Sequence, residues 1–150
     1  MSRTYILEDL KLETNNTFRF VLVALGIGFC IAGLLHVVFG LGADQMLGAN
    51  VSAQSLTDAG LDSQNRFYGA AFTLYGVLLI TISNNIEKYS TILRCVMGVF
   101  LFAGAVRFIS VILYGWPPLM MGVLFALELL VPLLVLLGLS SFQRRFTSRT

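Results

Sequence analysis

Residues 103–132 read AGAVRFISVILYGWPPLMMGVLFALELLVP. The stretch joins two apolar blocks, 92–113 and 119–139, across a Tyr-Gly-Trp-Pro-Pro turn. Each block is about as long as a bilayer crossing requires: spanning roughly 30 Å at 1.5 Å per residue takes about 20 residues. Yet Arg107 stands in one block and Glu128 in the other. A charge near the bilayer centre costs about 2.5–3.5 kcal/mol on insertion scales. The reading must therefore explain two opposite charges at membrane depth.

Working outward, two further blocks pass the same length test, 18–41 and 67–83. Of the 150 residues 57% are hydrophobic and 12% charged, about half the charge of a soluble domain. The expected class is an all-α integral membrane protein. Alternating strands of about ten residues, as a membrane β-barrel needs, do not occur. The first block is longer than the roughly 7–15 apolar residues of a cleaved signal sequence, so it reads as a retained helix. The organisation expected is an N-terminal segment 1–17, a transmembrane domain 18–139 with one long outer loop at about 42–65, and a basic tail 140–150. Residues 4–14 suit either a short interfacial helix or a frayed tail.

Basic residues sort by side. Arg3, Lys11 and Arg19 precede or open the first block, Lys88 and Arg94 flank the second connection, and Arg144, Arg145 and Arg149 follow the fourth block. The first loop carries Asp44, Asp58 and Asp62 with no base before Arg66. The positive-inside rule then predicts an antiparallel four-helix bundle with both termini cytoplasmic. The net charge of +2 marks the inner face and needs no nucleic-acid partner. Tyr114 and Trp116 suit an outer aromatic belt. Asn50-Val51-Ser52 matches a glycosylation sequon, a pattern too common to carry weight alone.

Small residues at Ala24, Gly28, Ala32 and Gly40, with Gly26 and Gly33 on the same broad side, predict close packing of the first helix. That turns His36 inward. Counted from the outer ends, Arg107 lies about 12 Å deep, Glu128 about 15 Å and His36 about 8 Å. Arg66 opens the second helix, with Tyr68 and Tyr75 on its opposite side. The candidate ligand-binding residues are thus Arg66, Arg107, Glu128, His36 and Tyr68, in the outer half. Three readings of the charges stay open: a staple between the last two helices, a site that also holds a ligand, or a contact with a partner protein. Cys30 and Cys95, both in apolar blocks, and a single histidine make no metal cluster. No catalytic residue and no cofactor is assigned.

The run 64–80, QNRFYGAAFTLYGVLLI, the run 104–118, GAVRFISVILYGWPP, and Glu128 after them resemble the bacterial four-helix membrane proteins grouped as domain of unknown function 4345. An Arg-x-Tyr-Gly opening the second helix, an Arg-x-x-Ser before a Gly and a Pro, and a Glu in the fourth helix occur in that order. The resemblance runs from the first helix to about Leu139 and implies the bacterial inner membrane. It singles out Arg66, Tyr68, Gly69, Arg107 and Glu128. The layout is also similar to DoxX-like proteins, some of which are linked to quinone-dependent redox systems. The expected function is binding or transport of a small amphiphile, a membrane lipid or a quinone, in an outward-opening pocket. The alternative is a non-catalytic accessory subunit of a larger membrane complex or a homo-oligomer.

Overall fold

The computed structural model describes the backbone of residues 3–147 and the side chains of 16–140. The side chains of Arg3, Lys11, Arg144, Arg145 and Arg149 lie outside the described residues. Helices, and no strands, occur among the described residues: α1 (Arg3–Phe39), α2 (Gly42–Met46), α3 (Ala53–Leu56), α4 (Ala59–Ser83), α5 (Ser90–Tyr114) and α6 (Leu119–Thr147). Four contain apolar spans long enough to cross a membrane, of 24, 25, 25 and 22 residues. At 1.5 Å per residue even the shortest reaches about 33 Å. Their outward faces are apolar, with Phe20, Phe102, Ile112 and Leu134 all well exposed. In lipid such faces need no further burial.

Two boundaries differ from the sequence reading. Residues 4–14 continue α1 without a break, so they form neither a separate helix nor a frayed tail. The second long helix begins at Ala59, eight residues before its apolar block. The cause is Asp58, whose Oδ1 accepts from the amides of Gly60 and Leu61 at 2.8 and 3.0 Å. A capped N-terminus satisfies otherwise orphaned donors, so two polar turns form ahead of the apolar face.

α1 packs extensively on α4, and α5 on α6, while α4 and α5 touch sparsely. Glycines set the first contact. A Cβ at Gly76 would lie 2.5 Å from the Gly26 carbonyl, and one at Gly69 would lie 2.7 Å from the Gly33 carbonyl. The contact ridge is therefore Gly26–Gly33–Gly40, seven apart, against Gly69–Gly76. The expected four-residue ridge through Gly28 is not the contact: a Cβ at Gly28 meets nothing within 4 Å. Gly104 plays the same part for α5, where a Cβ would lie 3.2 Å from the Glu128 backbone.

The apolar core sits at one end of the molecule. Leu22, Leu79, Ile82, Leu93, Met97, Val135 and Leu139 come from all four long helices and close the seam between the two pairs there. At the other end Gly48 of the first loop comes up against Pro118 in the α5–α6 turn.

Candidate functional site

Arg107 and Glu128 meet. Nε of Arg107 lies 2.6 Å from Oε2 of Glu128, and Nη2 donates to Oε1 at 2.9 Å. Both of these guanidinium nitrogens face the carboxylate, as in the fork that such pairs favour. Its prongs are unequal: Oε2 is buried with no hydrogen bond aimed at it, so Coulomb attraction holds that side. The Glu128 side chain is only 10% exposed and that of Arg107 42%. The close approach at Gly104, one turn before Arg107, puts the two side chains within reach of each other.

The pair borders a partly open cavity of about 170 Å³ in the seam. From α4 come Tyr68, Ala71, Phe72 and Tyr75; from α5, Phe100 and Ala103; from α1, Phe29. Phe29 is the hub of the aromatic wall. Its ring meets Phe100 edge-on at 4.8 Å and lies 6.0 Å from Phe72 and 6.2 Å from Tyr75. Edge-to-face and offset contacts of this kind add about 0.5–1.5 kcal/mol each beyond burial.

Of the five sequence candidates, Arg107, Glu128 and Tyr68 therefore border one cavity. Arg66 and His36 lie elsewhere, in a polar cluster where α1 ends. Arg66 Nη1 donates to the carbonyls of Val37 and Val38 at 2.6 and 3.0 Å, while its Nε donates to Asp62 at 2.7 Å. The guanidinium caps α1, whose last carbonyls have no partner within the helix. Gly40 turns the chain at φ +53° against the Asp62 carboxylate. His36 Nδ1 lies 2.8 Å from the Ala32 carbonyl, and its Nε2 3.5 Å from Asp44. Asp44 also accepts from Asn65. The cluster ties the first loop onto α1 and α4. His36 stands one ring away from the cavity, 6.4 Å from Phe72.

The split follows from α4. Arg66, Gly69, Thr73 and Gly76 share the side facing α1, whereas Tyr68, Phe72 and Tyr75, at i, i+4 and i+7, share the side facing the seam. That aromatic stripe was present in the sequence, and Phe100 lies on one stripe with Gly104 and Arg107. Phe29 had no such signal, because its place depends on the α1–α4 register.

No curated protein and no solved structure matches the chain. A family match covers residues 17–139, from the first span to the end of the fourth, and takes in both the seam and the Arg107–Glu128 pair. The chain belongs to the family described as domain of unknown function DUF4345.

Proposed function

We propose that this protein binds, and hands on within the membrane, a small amphiphile such as a lipid or quinone, held in the seam cavity against Arg107 and Glu128. The arrangement we infer is an antiparallel bundle in a bacterial inner membrane with both termini cytoplasmic, which follows the distribution of Lys and Arg. The observation that carries the reading is the coincidence of a close charge pair with an aromatic-walled cavity of about 170 Å³. Pockets for small molecules combine mostly apolar walls with a few placed polar groups. Ionisable groups inside a membrane most often mark such sites. The outward apolar faces suit lipid and a protein partner equally, so no particular observation favours the accessory-subunit reading.

The test is gentle extraction of the tagged protein, followed by analysis of co-purifying small molecules and proteins in one sample. The comparison is with the double variant Arg107→Leu, Glu128→Leu, which removes the pair without leaving a lone buried charge. A stoichiometric amphiphile in the wild type, lost in the double variant, is the expected result. An unchanged small-molecule content, or a stoichiometric protein partner with no enriched small molecule, refutes the reading.

A further inference from the structure

We propose that the cavity is loaded sideways, from the hydrocarbon, through the gap between α4 and α5 at Ala71 and Ala103. The ligand is a neutral, single-tailed molecule whose ring-sized head carries carbonyl oxygens. The inference rests on the amphiphile reading above and specifies its ligand and route.

The rim gives the route. The exposed lining residues, Tyr68, Ala71 and Ala103, all belong to α4 and α5, whereas Glu128 of α6 is buried and Phe29 of α1 half-buried. The cavity is thus floored by α1 and α6 and open between α4 and α5, which touch sparsely. Depth gives the medium outside. Ala71 stands four residues inside the apolar block that opens at Phe67, and Ala103 ten inside the block that ends at Leu113. Four and ten residues are about 6 and 15 Å of helix, both within a hydrocarbon core of about 30 Å. The gap therefore faces acyl chains, not water. Two methyl side chains form its sill, and larger ones would narrow it.

Charge and size give the ligand. Arg107 is already neutralised by Glu128. A phosphate or carboxylate at the guanidinium would either set a second negative charge beside Glu128 or leave that buried carboxylate alone, and both are unfavourable. A neutral head avoids this. Two donors on the cavity wall stay uncommitted, beside one acceptor, the buried Glu128 Oε2. Arg107 donates to Glu128 from Nη2 and holds Nε against it by charge alone, which leaves Nη1. Tyr68 accepts from Gln64, which leaves its own proton. Unused donors call for acceptors, and a carbonyl supplies them without charge. A cavity of about 150 Å³ holds benzene, so about 170 Å³ takes one substituted ring and excludes a phospholipid headgroup with its two chain origins. The apolar tail then leaves between Ala71 and Ala103.

The experiment uses the full-length protein in phosphatidylcholine nanodiscs and two probes, decyl-trimethyl-1,4-benzoquinone and tetramethyl-1,4-benzoquinone. Equilibrium binding of each is measured for the wild type, for Ala71→Leu with Ala103→Leu, and for Ala105→Leu outside the cavity. The single Ala103→Leu carries the test if the double variant does not fold. The expected result is that the rim variant weakens the decyl probe at least tenfold and the tail-less probe less than twofold, with Ala105→Leu silent. Equal loss of both probes would mean that leucine fills the cavity itself, and no loss of either would mean that the tail goes elsewhere. Each overturns the sideways route alone. Failure of both probes to bind the wild type overturns the route and the amphiphile reading together.

Discussion

Replacing Gly33 by Ala tests whether glycine contact holds α1 to α4. The added Cβ would lie 2.5 Å from the Thr73 amide nitrogen and 2.6 Å from the Gly69 carbonyl oxygen. Both atoms are backbone and cannot swing aside, so the helices must part by about 0.5–1 Å. Such a gap forfeits a quarter to a half of each contact, worth about 0.1–0.2 kcal/mol. Over roughly thirty atom pairs along the ridge the loss is about 1–2 kcal/mol, within the usual range for overpacking. Gly28→Ala is the matched control, because its Cβ meets nothing within 4 Å. It should be neutral or slightly stabilising, since Ala is the better helix former by up to about 1 kcal/mol.

The assay is reversible unfolding in mixed micelles, followed by far-ultraviolet circular dichroism as the sodium dodecyl sulfate fraction rises. Gly33→Ala should shift the midpoint to lower fractions by an amount equivalent to about tenfold in the folding constant, and Gly28→Ala should not. Equal stability of the two variants would refute the seven-residue ridge. So would a larger loss in Gly28→Ala, which would restore the four-residue ridge expected from sequence.

Other substitutions probe the remaining devices. Arg107→Leu leaves the 10%-exposed Glu128 without its cation and should cost about 3 kcal/mol. Glu128→Leu leaves only the half-exposed Arg107 and should cost less, with the double variant nearest the wild type; the same unfolding titration ranks the three. Gly40→Ala meets both a left-handed φ of +53° and the Asp62 carboxylate; it should cost about 1–2 kcal/mol and speed hydrogen exchange across residues 36–48. Asp58→Ala removes the cap of α4 and about 1 kcal/mol, seen as faster amide exchange at 59–62 while residues 79–97 stay protected. Arg66→Gln should loosen the end of α1 in the same exchange experiment without changing what co-purifies in the cavity.

The four spans were legible because bilayer crossing demands length and apolarity, which composition displays directly. The Arg107–Glu128 meeting was legible because depth counts along two neighbouring helices nearly match. The first turns of α4 were not, because hydropathy sees only the apolar block while a single aspartate starts the helix. His36 was grouped with the pair by depth and its inward face, and Arg66 by depth and the family resemblance. Depth does not say which way a residue points around its helix. On α4 the residues that face α1 and those that face the seam lie on opposite sides, so two polar groups at similar depth serve two different ends of the fold.

The position of the pair bears on why it is there. Arg107 and Glu128 join α5 to α6, the pair of helices already held by a short Tyr114–Leu119 connection, by the Gly104 contact and by Phe108 against Phe125 at 4.8 Å. A staple is least needed there. The sparse contact lies between α4 and α5, and no ion pair among the described residues crosses it. Two leucines would hold α5 to α6 without the desolvation that two charges suffer, and such replacements in buried pairs are often neutral or stabilising. A pair placed where packing already suffices, yet bordering a seam where α4 and α5 touch sparsely, fits the proposal that it serves a ligand there better than it fits a staple.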